Sequence, residues 1–119
     1  GKNICPVGWH VPTDAEWTTL TDYLGGPSIA GGAMKEVGTL HWNSPNSGAT
    51  NSSGFTALPG GYRYGDGTFH AAGNDGSFWS ITPEGDSFAW YRSLYYIGTL
   101  VISNNRDKRY GYSVRCVKD

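Results

Sequence analysis

The sequence predicts an α+β domain: one or two helices near the start, then short strands of an antiparallel sheet joined by long loops. Three observations carry that expectation. A helix-capping signature stands at residues 13–16. Short aromatic and β-branched runs, separated by Gly and Asp turns, fill the second half of the chain. The only two cysteines, Cys5 and Cys116, bracket almost everything between them. A length of 119 residues suits a single domain, expected to span 1–119, and leaves no room for a second.

The first helix is the firmest element. In Pro12-Thr13-Asp14-Ala15-Glu16-Trp17, Thr13 is placed to cap the free amides of the first turn and Glu16 to reach back to Thr13. Trp17, Leu20 and Leu24 follow at i, i+3 and i+7, with Tyr23 beside them. Gly25 and Gly26 then supply the left-handed residue that ends a helix. Residues 28–37, with Ile29, Ala33, Met34 and Val37 at helical spacing, predict a second helix despite Gly31 and Gly32.

From residue 38 to 54 the composition shifts to Asn, Ser, Thr, Gly and Pro, which reads as one long loop. Strands are expected at residues 55–59, 62–64, 77–80, 88–97 and 112–117, and residues 103–110 read as a polar turn. Five Trp and eight Tyr predict an aromatic core.

Nine basic and ten acidic residues give a net charge of −1, so no electrostatic case exists for nucleic acid or an anionic membrane. No apolar run is long enough to span a bilayer. The abrupt start, with Gly1 and Lys2 shortly before a cysteine, reads as a piece of a longer surface protein. A Cys5–Cys116 bridge would close a loop of about 110 residues and contribute about 4–5 kcal/mol in the chain-entropy model. The alternatives are two buried reduced thiols or a reactive thiol. A bridge implies an oxidising compartment.

Four motifs in order carry a family resemblance. They are Cys5-Pro-Val-Gly-Trp-His-Val-Pro-Thr-Asp-Ala-Glu-Trp17, Asn51-Ser-Ser-Gly-Phe-Thr-Ala-Leu-Pro-Gly-Gly-Tyr-Arg63, Phe78-Trp-Ser80 and Gly111-Tyr-Ser-Val-Arg-Cys-Val-Lys-Asp119. Together they resemble the Fibrobacter succinogenes major paralogous domain over nearly the whole chain. The segments Val11-Pro-Thr-Asp-Ala-Glu-Trp17 and Gly111-Tyr-Ser-Val-Arg115 are more distantly similar to the start and end of the formylglycine-generating enzyme domain, a variant of the C-type lectin-like fold. The resemblance implies two helices, a twisted antiparallel sheet, paired termini and a long loop region. It also implies a bacterial surface or secreted module with adhesion as its role. Related C-type lectin-like proteins display variable polar and aromatic residues for ligand binding near the C-terminus, and the C-terminal stretch here has that character.

The residues do not support catalysis. Formylglycine chemistry needs a reactive cysteine pair, and none is spare if Cys5 and Cys116 are bridged, so the resemblance transfers fold and not reaction. His10, His41 and His70 are scattered without metal-ligand spacing, and His10, between Trp9 and Val11, reads as a packed, hydrogen-bonded residue. Neither a Gly-x-Ser-x-Gly elbow nor a phosphate loop occurs. Glu84 and Asp86 fall in a turn sequence. Calcium would need more than Asn43, Asn46 and Asn51, which come without a carboxylate, so a loop held by Asn and Ser side chains is expected there. No cofactor or metal is expected.

The best binding signal lies near the C-terminus. Period two along Phe88-Ala-Trp-Tyr-Arg-Ser-Leu-Tyr-Tyr-Ile97 puts Phe88, Trp90 and Leu94 on a core face and Tyr91, Ser93 and Tyr95 on the other. Asn104, Asn105, Asp107 and Tyr110 could complete the rim of that surface. The expected function is a monomeric, non-catalytic extracellular module binding a glycan or protein through these residues. The competing readings are a solvated hairpin in a structural spacer, or an enzyme with an unrecognised site.

Overall fold

In the computed structural model, residues 3–119 are described, and they form two helices and three small antiparallel sheets. Helix α1 (Asp14–Tyr23) starts as its sequence predicts. The Glu16 backbone N–H donates to Thr13 Oγ1 at 3.1 Å, and the Thr13 N–H donates to Glu16 Oε2 at 2.8 Å, which completes the capping box. Asp14 and Glu16 also place negative charge at the positive end of the helix dipole. Gly25 and Gly26, both at positive φ, end the helix, and the Gly26 N–H donates back to the Thr21 carbonyl.

Helix α2 (Ala30–Met34) is only five residues, shorter than the 28–37 that its periodicity suggests. Ile29 and Val37, the outer members of that pattern, are exposed. Close backbone approach explains both the glycines and the early stop. A Cβ on Gly31 would lie 2.7 Å from the carbonyl oxygens of Thr99 and Leu100, and one on Gly32 would lie 2.5 Å from that of Gly48. Lys35 then turns extended and bridges Ala57.

Strands β1 (Trp9–His10) and β7 (Val117–Lys118) pair at the two ends of the chain. Beside them the Cys5–Cys116 disulfide holds the two Cα atoms 5.9 Å apart. Strands β2 (Tyr62–Arg63) and β3 (Phe69–His70) form a small hairpin. The main sheet is β4 (Asp75–Glu84), β5 (Phe88–Tyr95) and β6 (Val101–Asp107), in that order.

Several strand expectations need correction. Residues 55–59 contribute only the Lys35–Ala57 bridge, and residues 112–117 contribute strand only at Val117. The polar stretch expected as a turn is strand as far as Asp107. β6 is an edge strand whose backbone is satisfied by β5 on one side, so its Asn and Ser side chains can face water at little cost. Phe88 is exposed and Trp90 half-buried, whereas Tyr91, Arg92, Ser93 and Leu94 are all buried. An alternating pattern predicts one dry and one wet face, but β5 is the central strand and both its faces are covered.

The core is aromatic, as the composition predicts. Trp17, Phe55 and Phe78 meet with ring centroids 5.7–5.9 Å apart, packed with Met34, Trp42, Leu94 and Val101. Trp42 Nε1 donates to the Ala57 carbonyl at 2.9 Å. Asn and Ser side chains hold the long loop: Asn46 Nδ2 donates to the carbonyls of Glu36 and Gly38, and Ser53 Oγ to that of Ala33. Behind β5, Arg92 pairs with the Asp14 carboxylate and donates to Thr18 Oγ1 at 3.1 Å, fastening the sheet to the first turn of α1.

Lys35 is wholly buried. Its ammonium donates to the carbonyls of Ser47, Tyr95 and Gly98, each at 2.9 Å, and lies 5.5 Å from the centre of the Trp42 ring. Burial pushes its pKa below the ordinary value, while three oriented carbonyls favour the charged form.

Replacing Lys35 by Met leaves three carbonyls without their donor and is expected to cost on the order of 3 kcal/mol or more in urea unfolding. Cys5→Ser/Cys116→Ser, or reduction of the disulfide, is expected to cost about 4 kcal/mol in the same measurement.

Candidate functional site

The register of the main sheet builds the site. Asp75, Ser77 and Trp79 on β4 stand opposite Tyr95, Ser93 and Tyr91 on β5, so these six share one face. On β6, Arg106 stands opposite Ala89 of that face. Tyr62 and Tyr64 close over the sheet from the β2 side, and Tyr110 and Tyr112 from the C-terminal segment. The result is a cleft of about 150 Å³ whose wall is polar almost throughout.

Backbone contacts fix the cover. The Gly61 N–H donates to the Asp75 carbonyl at 2.8 Å, and Arg63 and Gly111 exchange N–H to carbonyl bonds in both directions. Gly61 sits at φ 65°, and a Cβ there would fall 2.2 Å from the His70 carbonyl oxygen, so the hairpin admits only glycine at this point. The tyrosines pack in a chain: Tyr62 and Tyr64 rings are 5.4 Å apart, Tyr64 and Tyr110 5.3 Å, and Tyr112 and Tyr91 4.7 Å. Trp79 backs this row, 4.5 Å from Tyr112.

Ser77 Oγ and Ser93 Oγ hydrogen-bond across the strands at 3.0 Å. Asp75 is only 5% exposed, and its Oδ1 has no hydrogen-bond partner among the described residues. Burial pushes its carboxyl pKa up to about 6. Tyr62 is pushed up to about 12, first by the hydroxyl of Tyr64 and then by burial. Tyr112 rises well above the ordinary tyrosine range, chiefly by burial. At Arg106 burial works against the charge, yet the phenols of Tyr91 and Tyr112 outweigh it and hold the pKa above its ordinary value.

Of the residues singled out in the sequence, Tyr91, Ser93, Tyr95 and Tyr110 meet in this cleft. Tyr91 and Ser93 are buried, however, and offer no open stacking platform. Asn104, Asn105 and Asp107 lie on β6 and do not line the cleft, although Asn104 stands in register with Tyr91: Asn104 Oδ1 accepts from the Asn105 backbone, and Arg109 grips the Asp107 carboxylate at 2.7 Å. That grip lowers the Asp107 pKa to about 2. Tyr62, Tyr64, Asp75, Ser77, Arg106 and Tyr112 were not singled out, although Tyr62-Arg-Tyr64 and Tyr110-Gly-Tyr112 both repeat tyrosine at period two. Elsewhere, His10 bonds to Asp119 and Glu16 at 2.7 and 2.8 Å, and Glu84 is exposed and accepts from Trp90 Nε1. A wider, mostly apolar hollow lies against the other side of Trp79, lined by Ile4, Val11, Ile81, Ala89 and Val114.

The pH dependence of stability follows from these groups. Asp75 titrates higher folded than unfolded, so its contribution is full below its ordinary value of 3.8 and is lost as pH rises through about 6. His10, raised first by Asp119 and then by Glu16, acts in the same sense above 6.5. Asp107 has a lowered pKa, and its contribution is lost as pH falls toward about 2. Between pH 4 and pH 8 the wild type is therefore expected to lose about 2 kcal/mol more stability in urea than Asp75→Asn. Equal losses would place the titration elsewhere.

The family model for the Fibrobacter succinogenes major domain matches residues 1–118. No curated protein and no solved structure matches the chain. A match of that extent takes in both cysteines, the capped helix, the three-stranded sheet and every residue of the cleft: the chain belongs to the Fibrobacter succinogenes major domain family.

Proposed function

We propose that this domain is a non-catalytic recognition module of an extracellular or cell-surface bacterial protein, and that it binds a glycan in the tyrosine-lined cleft. One observation carries the reading. Six tyrosines, two serines, a carboxylate and a guanidinium converge on one small hollow, and such a set can both donate to and accept from the hydroxyls of a sugar. The size of the hollow favours one or two sugar units over a protein surface, which needs a far larger buried area.

Several features support the absence of catalysis. Asp75 is the one carboxylate in the lining, whereas glycoside hydrolysis uses two facing carboxyl groups. The serines bond to each other and not to a base. The disulfide supports an oxidising location. Among the described residues no helix is long and apolar enough to cross a membrane. Paired ends, two helices, a small antiparallel sheet and a long side-chain-held loop are the features of a C-type lectin-like arrangement, and we include that fold in the proposal.

Tyr95 is 41% exposed at the edge of the cleft and can be cut back without opening the core, unlike buried Tyr91. On a glycan array, Tyr95→Ala is expected to weaken the bound sugar about 10- to 100-fold with an unchanged melting temperature, and a chelator is expected to leave wild-type binding intact. A folded domain that binds no glycan would favour a structural spacer instead.

A further inference from the structure

The unanswered group in the cleft is Asp75. Its backbone is clamped on both sides, the N–H donating to the Ala71 carbonyl at 3.0 Å and the carbonyl accepting from Gly61. The side chain is more than nine-tenths buried, and Oδ1 meets no donor among the described residues. A buried carboxylate oxygen without a donor is a standing cost, and folded proteins keep few of them. A ligand that brings the donor removes that cost on binding, and a charged donor does so most strongly.

The cation already present in the cleft does not fill this role. The Arg106 backbone stands in register with Ala89, six residues along β5 from Tyr95, the partner of Asp75, and its side chain reaches back to the phenols of Tyr112 and Tyr91. Its guanidinium lies over the Tyr110 ring, 5.9 Å from the centroid, and makes no ion pair with Asp75. The cleft is therefore bipolar, with a carboxylate beside Tyr62 and Tyr95 at one end and a guanidinium at the other.

Resting on the glycan reading above, we propose that the cleft selects a saccharide carrying a free, protonated amine, which Asp75 accepts, while Arg106 takes an oxygen of the same ligand at the far end. The polar wall sets the rest of the class. The Ser77 and Ser93 hydroxyls and the surrounding phenols can match ring hydroxyls, whereas the methylenes of a plain alkylamine would meet almost no apolar surface. An N-acetylated amine has lost its charge and keeps a single neutral N–H, and a neutral sugar offers only an uncharged hydroxyl.

The test is calorimetric titration of the domain at pH 6.5 with three β-1,4-linked tetrasaccharides, of glucosamine, of N-acetylglucosamine and of glucose, with hexylamine as a fourth probe. The glucosamine tetramer is expected to bind at least 10-fold tighter than either of the others, and hexylamine weakly or not at all. In Asp75→Asn, checked for folding by thermal melting, the preference for the glucosamine tetramer over the uncharged tetramers is expected to disappear. The comparison of ligands on the wild type stands even if the variant fails to fold. Equal binding of the three tetramers would overturn the amine assignment and leave the glycan reading in place, whereas hexylamine binding as tightly as the glucosamine tetramer would overturn the assignment of the ligand as a saccharide. Binding of no saccharide by the folded domain would overturn both.

Discussion

The fold depends on a positive charge sealed in its interior. Lys35 leaves α2 by turning extended, and its ammonium then joins three pieces of backbone that no strand ladder unites: the long loop at Ser47, whose own N–H donates to the Tyr96 carbonyl, the end of β5 at Tyr95 and the turn after it at Gly98. A bound metal ion often organises irregular loops in this way, through converging carbonyl oxygens. Here the cation is covalently part of the chain, and its three protons match three acceptors. The glycines of α2 belong to the same solution, because they let the helix approach the backbone at Thr99 and Gly48 closely enough for the lysine to reach.

Lys35 also connects the interior to the cleft. The Tyr95 carbonyl that it holds belongs to the residue opposite Asp75, so the end of β5 that faces the start of β4 is fixed. Arg92 does the corresponding work nearer the middle of β5, tying that strand to Asp14 and Thr18 of α1. With one face of β5 committed to the helix and the core, the other is free to carry Tyr91, Ser93 and Tyr95 into a polar hollow. The site is thus a by-product of how completely the central strand is anchored, which suits recognition by preorganised groups.

Much of this architecture was legible in residue order. The Thr13–Glu16 box, the Gly25-Gly26 stop and the cysteine bracket are local or binary signals, and each has its structural counterpart. The failures have a common cause. Phe88 and Trp90 alternate as core residues should, but alternation cannot reveal that a strand will be central and covered on both sides. β6 resembled a turn because an edge strand draws its pairing from a neighbour and not from its own composition. Four of the cleft residues could be seen as a tyrosine-rich face, while Asp75 sat unnoticed in Asn74-Asp75-Gly76, a triplet typical of turns. Its importance comes from burial in a cleft whose wall it shares with Tyr62 and Tyr95, 13 and 20 positions away in the sequence. Lys35 was hidden for the same reason, since a lysine in sequence reads as surface.

The closure of the chain ends has a mechanical side. Cys5 and Cys116 are joined covalently with their Cα atoms 5.9 Å apart, and β1 and β7 run antiparallel beside them. Tension applied to the chain outside those two residues passes across the sulfur bridge and bypasses the hydrophobic core, the helix and the main sheet. The 110 residues enclosed by the bridge carry none of the load, so the cleft keeps its shape whether the molecule hangs slack or is pulled taut. Under shear, the stretch between the cysteines would be among the last parts of the chain to unravel.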